Sequence, residues 1–273
     1  MVPQCGKSKS HIVKGRYVTS RILTQLYEIQ TPFEAQTMVE LGVDHIGSVI
    51  VSVTEWKQPV IKETVKFVQQ TSAQSSLILL YHKQSLVFSS LDYYQPDIVH
   101  FCEMLVDPKT QQPISDMIRI CLDLQTAIRE HFPEIKIMRS IPIPETGRVV
   151  GFSVMSLANL FESISDFFLT DTLLVDEVGV QDQPVCGFVG ITGKTCDWQK
   201  AAHLVNQSRI PVFLAGGLSP DNVYDGIARV CPAGVDSCTL TNATDESGVP
   251  IRFKKDKEKV KRFVDETRRA EHY

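Results

Sequence analysis

PVFLAGGLSPDNVYDGIARVCPAGVDSCT, residues 211–239, decides the fold. The apolar run 212–215 ends in Gly216-Gly217. Ser219 then stands at an expected helix N-cap, with Pro220 at the first helical position and Asp221 in the first turn. A helix over 222–230 follows, and a second apolar stretch ends at Val235-Asp236 with small hydroxylic residues beyond it. Strand, glycine pair, helix, strand, small polar turn is the order in which a (β/α)8 barrel builds a phosphate site after its seventh and eighth strands. Glycines let backbone N–H groups approach an anion, and the positive end of a helix favours its charge. A lone Gly-Gly suits an ordinary βα turn equally well; two such units in this order favour the anion site.

Working outward, apolar runs alternate with amphipathic stretches along the whole chain. Strands are predicted at 22–29, 45–53, 76–81, 98–101, 135–141, 167–170 and 212–215, and helices at 32–41, 59–70, 85–94, 114–131, 157–165, 198–207, 222–230 and 257–269. Residues 142–152, with two prolines and two glycines, read as a loop. About eight strand–helix units without a composition break predict a single (β/α)8 TIM barrel over 21–273. Residues 1–20 form a short N-terminal extension, either draped on the surface or adding a strand at Tyr17-Val18. The runner-up, a doubly wound sheet, would call for a GxGxxG fingerprint after the first strand, and there is none.

At 273 residues, 43% hydrophobic and 22% charged, the chain suits one soluble domain with a sizeable core. A net charge of −4 argues against nucleic acid or an anionic membrane as partner. No run of 18 apolar residues exists, and Lys7, Lys9 and Lys14 precede no apolar signal core, so a cytoplasmic protein is expected. Seven scattered cysteines without a CxxC pair read as reduced thiols. His100 and Cys102 share a strand face, but two soft ligands do not make a zinc site, so no metal is expected.

Two further stretches carry chemistry. Residues 167–172, FFLTDT, form a strand ending in Asp171, where a barrel carries its catalytic groups, although a strand-end aspartate is also a common cap. Residues 190–198, GITGKTCDW, imitate a nucleotide P-loop, but the Walker pattern requires a glycine where Phe188 stands. They read instead as a glycine-rich loop over the barrel mouth, with 195–197 capping the next helix.

FLTDT (168–172), GITGKTCDW (190–198), LAGGLSPDNV (214–223) and VDSCTL (235–240) stand in the order and spacing of FLLDT, GGTGKTFDW, LAGGLNPENV and VDVSSG. On these motifs the chain resembles the phosphoribosylanthranilate isomerase family of tryptophan biosynthesis. The resemblance is strong over 170–273, fair over 25–53 and faint between. It implies a phosphate-binding barrel that performs an Amadori rearrangement, aldosylamine to aminoketose, on a small phosphorylated sugar without a cofactor. Asp171 maps onto the family's general acid, which opens the furanose ring. Its pKa must then be raised by burial or a neighbouring negative charge.

The resemblance carries substrate and phosphate contacts onto Gly190, Thr192, Gly193, Gly216, Gly217, Asp236, Cys238 and Thr239, the phosphate itself resting on the backbone N–H groups of Gly216, Gly217, Cys238 and Thr239; Lys194 is either a cation above the substrate or a solvated loop lysine. The family's first strand ends KICGIT, its cysteine acting as base. Here Tyr27 falls at the cysteine in one register and Glu28 in the other, so both are candidate bases. A carboxylate there has precedent in the sister isomerase of histidine biosynthesis, whereas Tyr27 would need its pKa lowered by several units. The family's SPR arginine is absent, and Lys57 is the nearest cation. Arg139 ends an apolar strand, either facing substrate or pairing with a carboxylate. Leu240 replaces a glycine in the last turn. These departures keep two alternatives open: a phosphosugar barrel with a changed substrate, and a catalytically silent sensor or partner-binding barrel. A homo-oligomer is left open.

Overall fold

The computed structural model describes residues 21–174, 187–190 and 192–272. The expected extension at 1–20, with its strand at Tyr17-Val18, lies outside the described residues. Eight parallel strands close into a barrel in chain order: β1 (Leu23–Leu26), β2 (His45–Ile50), β3 (Gln74–Leu79), β4 (Ile98–Phe101), β5 (Lys136–Pro144), β6 (Phe167–Leu173), β7 (Val212–Leu214) and β8 (Gly234–Ser237). β8 returns to β1 with Gln25 opposite Asp236, so the doubly wound alternative is excluded.

Around the barrel run α1 (Pro32–Glu40), α2 (Pro59–Val68), α3 (Gln84–Tyr94), α4 (Ser115–His131), α5 (Val154–Phe161), α6 (Trp198–Gln207), α7 (Val223–Val230) and α8 (Lys257–Ala270). Local chemistry sets several of their starts. Thr31 and Glu34 form a reciprocal capping box ahead of α1, and Asp197 accepts from the Gln199 and Lys200 amides at α6. The residues between barrel and helices, among them Leu26, Phe168, Val235, Phe161, Leu204 and Phe263, make the main core. Inside the barrel, Ile98, Met138, Leu169 and Phe213 form an apolar floor beneath the mouth.

Three expectations are corrected. The loop predicted from residue 142 is strand: β5 runs through Pro142 and Pro144, paired with β6 as far as Pro144 opposite Leu173. Peptide groups along a strand face alternate neighbours. Lys136 N–H bonds Asp97 on the β4 side and the Ile137 carbonyl faces β6, so both proline nitrogens face β4. The β4 pairing ends at Phe101 opposite Arg139, so the missing N–H groups interrupt no ladder.

Ser219 caps the turn leading into α7 and not α7 itself: its Oγ accepts from the Asp221 amide at 3.2 Å and its carbonyl from the Val223 amide at 3.0 Å. The N-cap is Asn222, and Pro220 lies in a turn in which the Asn222 Oδ1 accepts from the Ser219 amide. The chain after β8 also makes an unforeseen antiparallel hairpin, β9 (Asn242–Thr244) and β10 (Pro250–Lys255), ahead of α8.

Arg139 points away from the lumen. Its guanidinium is fully buried between the rings of Phe101 and Phe161 and donates to Glu103 at 2.6 Å and to Gln125 Oε1 at 2.7 Å. It is a structural ion pair, and the substrate-facing alternative is set aside.

Candidate active site

The C-terminal ends of the strands surround a cavity enclosing about 840 Å³ of empty space, open solvent at its mouth included. Asp171 from β6 and Asp236 from β8 line it, together with Tyr27, Glu28, His100 and the glycine-rich loops. Burial pushes the Asp171 carboxyl up to about 7, offset in part by the hydrogen bond it accepts from the Thr172 amide at 2.9 Å. Asp236 is likewise raised to about 7, first by burial and then by the neighbouring charge of Asp171. Its Oδ1 accepts from Gln25 Nε2 at 3.1 Å, and Gln25 Oε1 meets His45 Nδ1 at 3.0 Å. Burial lowers His45 to about 4, which keeps that ring neutral.

The β1 register is now resolved. Gln25 and Tyr27 alternate into the lumen, and the Tyr27 ring lies so close to Gly47 that a Cβ there would meet it at 2.2 Å. Tyr27 Oη bonds Ser76 Oγ at 2.6 Å and His100 Nδ1 at 2.8 Å, while His100 Nε2 meets Ser140 Oγ at 2.9 Å. Burial holds the phenol well above its usual pKa and His100 down at about 3, so this chain of hydrogen bonds is neutral. Tyr27 occupies the base position without the acidity a base needs.

Glu28 fails for the opposite reason. It sits at a left-handed φ of 68°, fully buried. Its Oε1 takes Arg252 Nε at 2.7 Å, and its Oε2 takes Asn242 Nδ2 at 2.9 Å and the Phe253 amide at 3.0 Å. Against the cost of burial, these donors hold its carboxyl below the usual range. The charge is spent anchoring the β9–β10 hairpin, so both sequence candidates for the base are corrected. No local pattern announces this: the partners lie 214 to 225 residues away.

Most of the residues expected at the substrate and its phosphate share the cavity wall. Gly190, Thr192, Gly193, Gly216, Gly217, Cys238, Thr239 and Leu240 all line the cavity. Gly217, at φ 58°, passes the 190–198 loop so closely that a Cβ would stand 2.5 Å from the Lys194 carbonyl carbon. Thr239 Oγ1 is buried without a hydrogen-bond partner among the described residues. Behind this turn Lys255 Nζ donates to the Cys238 carbonyl at 2.7 Å and to Asn242 Oδ1 at 2.6 Å.

Asp236, expected among the substrate and phosphate contacts, faces the lumen, where the charge of Asp171 helps to raise its carboxyl. Two expectations are corrected here. Lys194 turns outward, 3.9 Å from Glu145, and contributes only its carbonyl, which accepts from Thr172 Oγ1. Lys57 lies over the Trp56 and Tyr93 rings, away from the cavity. Among the described residues no lysine or arginine lines the cavity, and no cluster of metal-ligating side chains exists. The arrangement sets two carboxyls, both raised to about 7, beside a glycine-rich wall of the cavity.

Comparison with known proteins places this geometry. Residues 29–266 match the profile of N-(5'-phosphoribosyl)anthranilate isomerase. The isomerase of that name from Methanosarcina acetivorans is 31% identical over 142 residues, covering 52% of this chain and 54% of the relative. The chain thus spans about half the length of the first curated relatives it matches. The Pyrococcus furiosus enzyme of the same name superposes with a TM-score of 0.59 at 16% identity, over 91% of this chain and 100% of that one. A phosphoribosyl anthranilate isomerase in complex with reduced 1-(o-carboxyphenylamino)-1-deoxyribulose 5-phosphate gives a TM-score of 0.59 at 16% identity, covering 90% and 98%. At such identities the two structures establish the barrel alone.

Proposed function

The chain belongs to the N-(5'-phosphoribosyl)anthranilate isomerase family, and from that premise we propose that it isomerises a phosphoribosyl amine, with phosphoribosylanthranilate as substrate. The observation that carries this is Asp171, a lumen carboxyl raised to about 7 at the end of β6, protonated often enough at neutral pH to act as an acid. Its proton goes to the furanose ring oxygen, opening the ring to a C1 imine. The phosphate lies against Gly216, Gly217, Cys238 and Thr239, where the Thr239 hydroxyl, without a hydrogen-bond partner among the described residues, meets an acceptor. Aldose–ketose isomerisation by proton transfer requires no cofactor.

The same reading takes 21–273 as one barrel domain preceded by 1–20, and places the protein in the cytoplasm. Among the described residues no helix is long and apolar enough to cross a membrane.

The purified protein incubated with phosphoribosylanthranilate is expected to consume the anthranilate fluorescence, and Asp171→Asn to abolish that turnover. Wild-type protein that binds the reduced product analogue without turning over substrate would refute the isomerase assignment. One observation favours a second reading, a barrel with a changed substrate: no described cation lines the cavity to meet an aryl carboxylate. Faster turnover of a phosphoribosyl amine lacking that carboxylate would select it.

A further inference from the structure

Resting on the isomerase reading, we infer that Asp236 is the base that removes the C2 proton. The position at the end of β1 is filled by a tyrosine held neutral by Ser76 and His100, and the next residue is locked by Arg252, Asn242 and the Phe253 amide. Of the remaining groups on the cavity wall, burial pushes Cys238 up to about 12 and Cys102 well above its ordinary value, while His100 has both ring nitrogens engaged. Asp171 is committed to the ring oxygen. Asp236 is the one carboxylate left on the described wall with an oxygen to offer.

Its geometry suits the task. Gln25 Nε2 donates to Asp236 Oδ1, which leaves Gln25 Oε1 to meet Nδ1 of the neutral His45 at 3.0 Å. Oδ2 has no hydrogen-bond partner among the described residues and belongs to a side chain on the cavity wall. Every neighbour that sets its charge is in view. Asp171 from β6 opposes its ionisation only when it is itself ionised, so a proton on Asp171 removes that repulsion, and Lys255 from β10 favours the Asp236 anion; Tyr27 from β1 and Cys238 beyond β8 stay neutral. Gln25 and His45 are positioning residues, since neither reaches the reacting atoms.

The protons balance across the pair. The cycle starts with one proton, on Asp171. That proton moves to the ring oxygen, the C–O bond breaks, and C1 becomes a protonated imine. Asp236 takes hydrogen from C2 as a proton, and the C–H pair forms the C1–C2 double bond while the imine pair returns to nitrogen. The resulting enolamine loses its O2 proton and gains one at C1 through solvent, giving the aminoketose. The pair ends with its single proton on Asp236, and return to Asp171 through solvent resets it.

The test compares wild type, Asp171→Asn and Asp236→Asn on phosphoribosylanthranilate with hydrogen or deuterium at C2. Asp236→Asn is expected to lower kcat by about 10²–10⁴-fold, the usual contribution of a positioned base, with KM within threefold. It should also enlarge the C2 isotope effect, because proton removal becomes the slow step. A merely structural role for Asp236 would leave that isotope effect unmoved. If Asp236→Asn does not fold, Asp236→Glu carries the test, with slowed turnover and an enlarged isotope effect expected. Active wild type with either folded Asp236 variant within threefold of its kcat overturns Asp236 alone. Inactive wild type overturns the isomerase reading and Asp236 with it.

Discussion

Asp171 is costly to the fold in the same measure that it is useful to the chemistry. A half-buried carboxyl with its pKa raised above the unfolded value of 3.8 adds stability that is fully present below that value and lost as pH rises through about 7. Asp171→Asn is therefore expected to stabilise the protein at pH 8 while abolishing turnover, and to change little at pH 4. Thermal unfolding reads this directly, at about 2–4 °C per kcal/mol for a chain of this size. A lower Tm at pH 8 would show that the carboxylate is better satisfied than its surroundings indicate. Glu28 has the opposite sign. Its pKa is depressed, so its contribution is present above the unfolded value and lost as pH falls through the folded one. Glu28→Gln is expected to lower stability at pH 7 by roughly 1–3 kcal/mol, discounted for the partly exposed Arg252, with the deficit closing in acid. An equal deficit at pH 7 and pH 3 would contradict the ion-pair account. Asp171 was legible because an apolar run ends on it; the fate of Glu28 was not, because its partners arrive from a hairpin more than 200 residues later.

At the scale of elements, the reading worked where burial and capping are local. α6 was predicted at its observed bounds because Asp197 marks its start, and β4 because the apolar Ile98, Val99 and Phe101 open directly after Asp97. It failed where tertiary pairing decides. Proline argues against a strand, yet β5 passes through Pro142 and Pro144 because their nitrogens face a neighbour that has already ended. The β1 register, on which the choice between Tyr27 and Glu28 turned, needed the Gln25–Asp236 pairing that only closure supplies. The contact between β7–α7 and the 190–198 loop makes a prediction of its own. Gly217→Ala puts a Cβ 2.5 Å from the Lys194 carbonyl carbon at a φ of 58°. It is expected to cost at least about 1 kcal/mol of stability from the backbone alone. It should also raise KM for the phosphorylated substrate more than it lowers kcat, by displacing the cradle. Unaltered Tm and KM would mean that the loop moves aside freely.

For the whole molecule, closure gathers residues from β1, β6 and β8 at one mouth, and fold and chemistry are linked there. Ligand occupying that mouth should stabilise the barrel. Inorganic phosphate at ten times its Kd is expected to add ~1.4 kcal/mol, read as a Tm rise in a phosphate titration. A flat titration would argue against the cradle. The glycines and turns of the proposed cradle were legible because they are contiguous in the chain. The proposed acid–base pair was not, because Asp171 and Asp236 become neighbours only when β6, β7 and β8 stand side by side. The most direct test is the pH dependence of kcat/KM on phosphoribosylanthranilate. A pair that must hold one proton predicts a bell with its maximum near pH 7, falling in acid as both carboxyls protonate and in alkali as both ionise. A rate that is level from pH 5 to 9, or that climbs toward the ionisation of a tyrosine or cysteine, would contradict it.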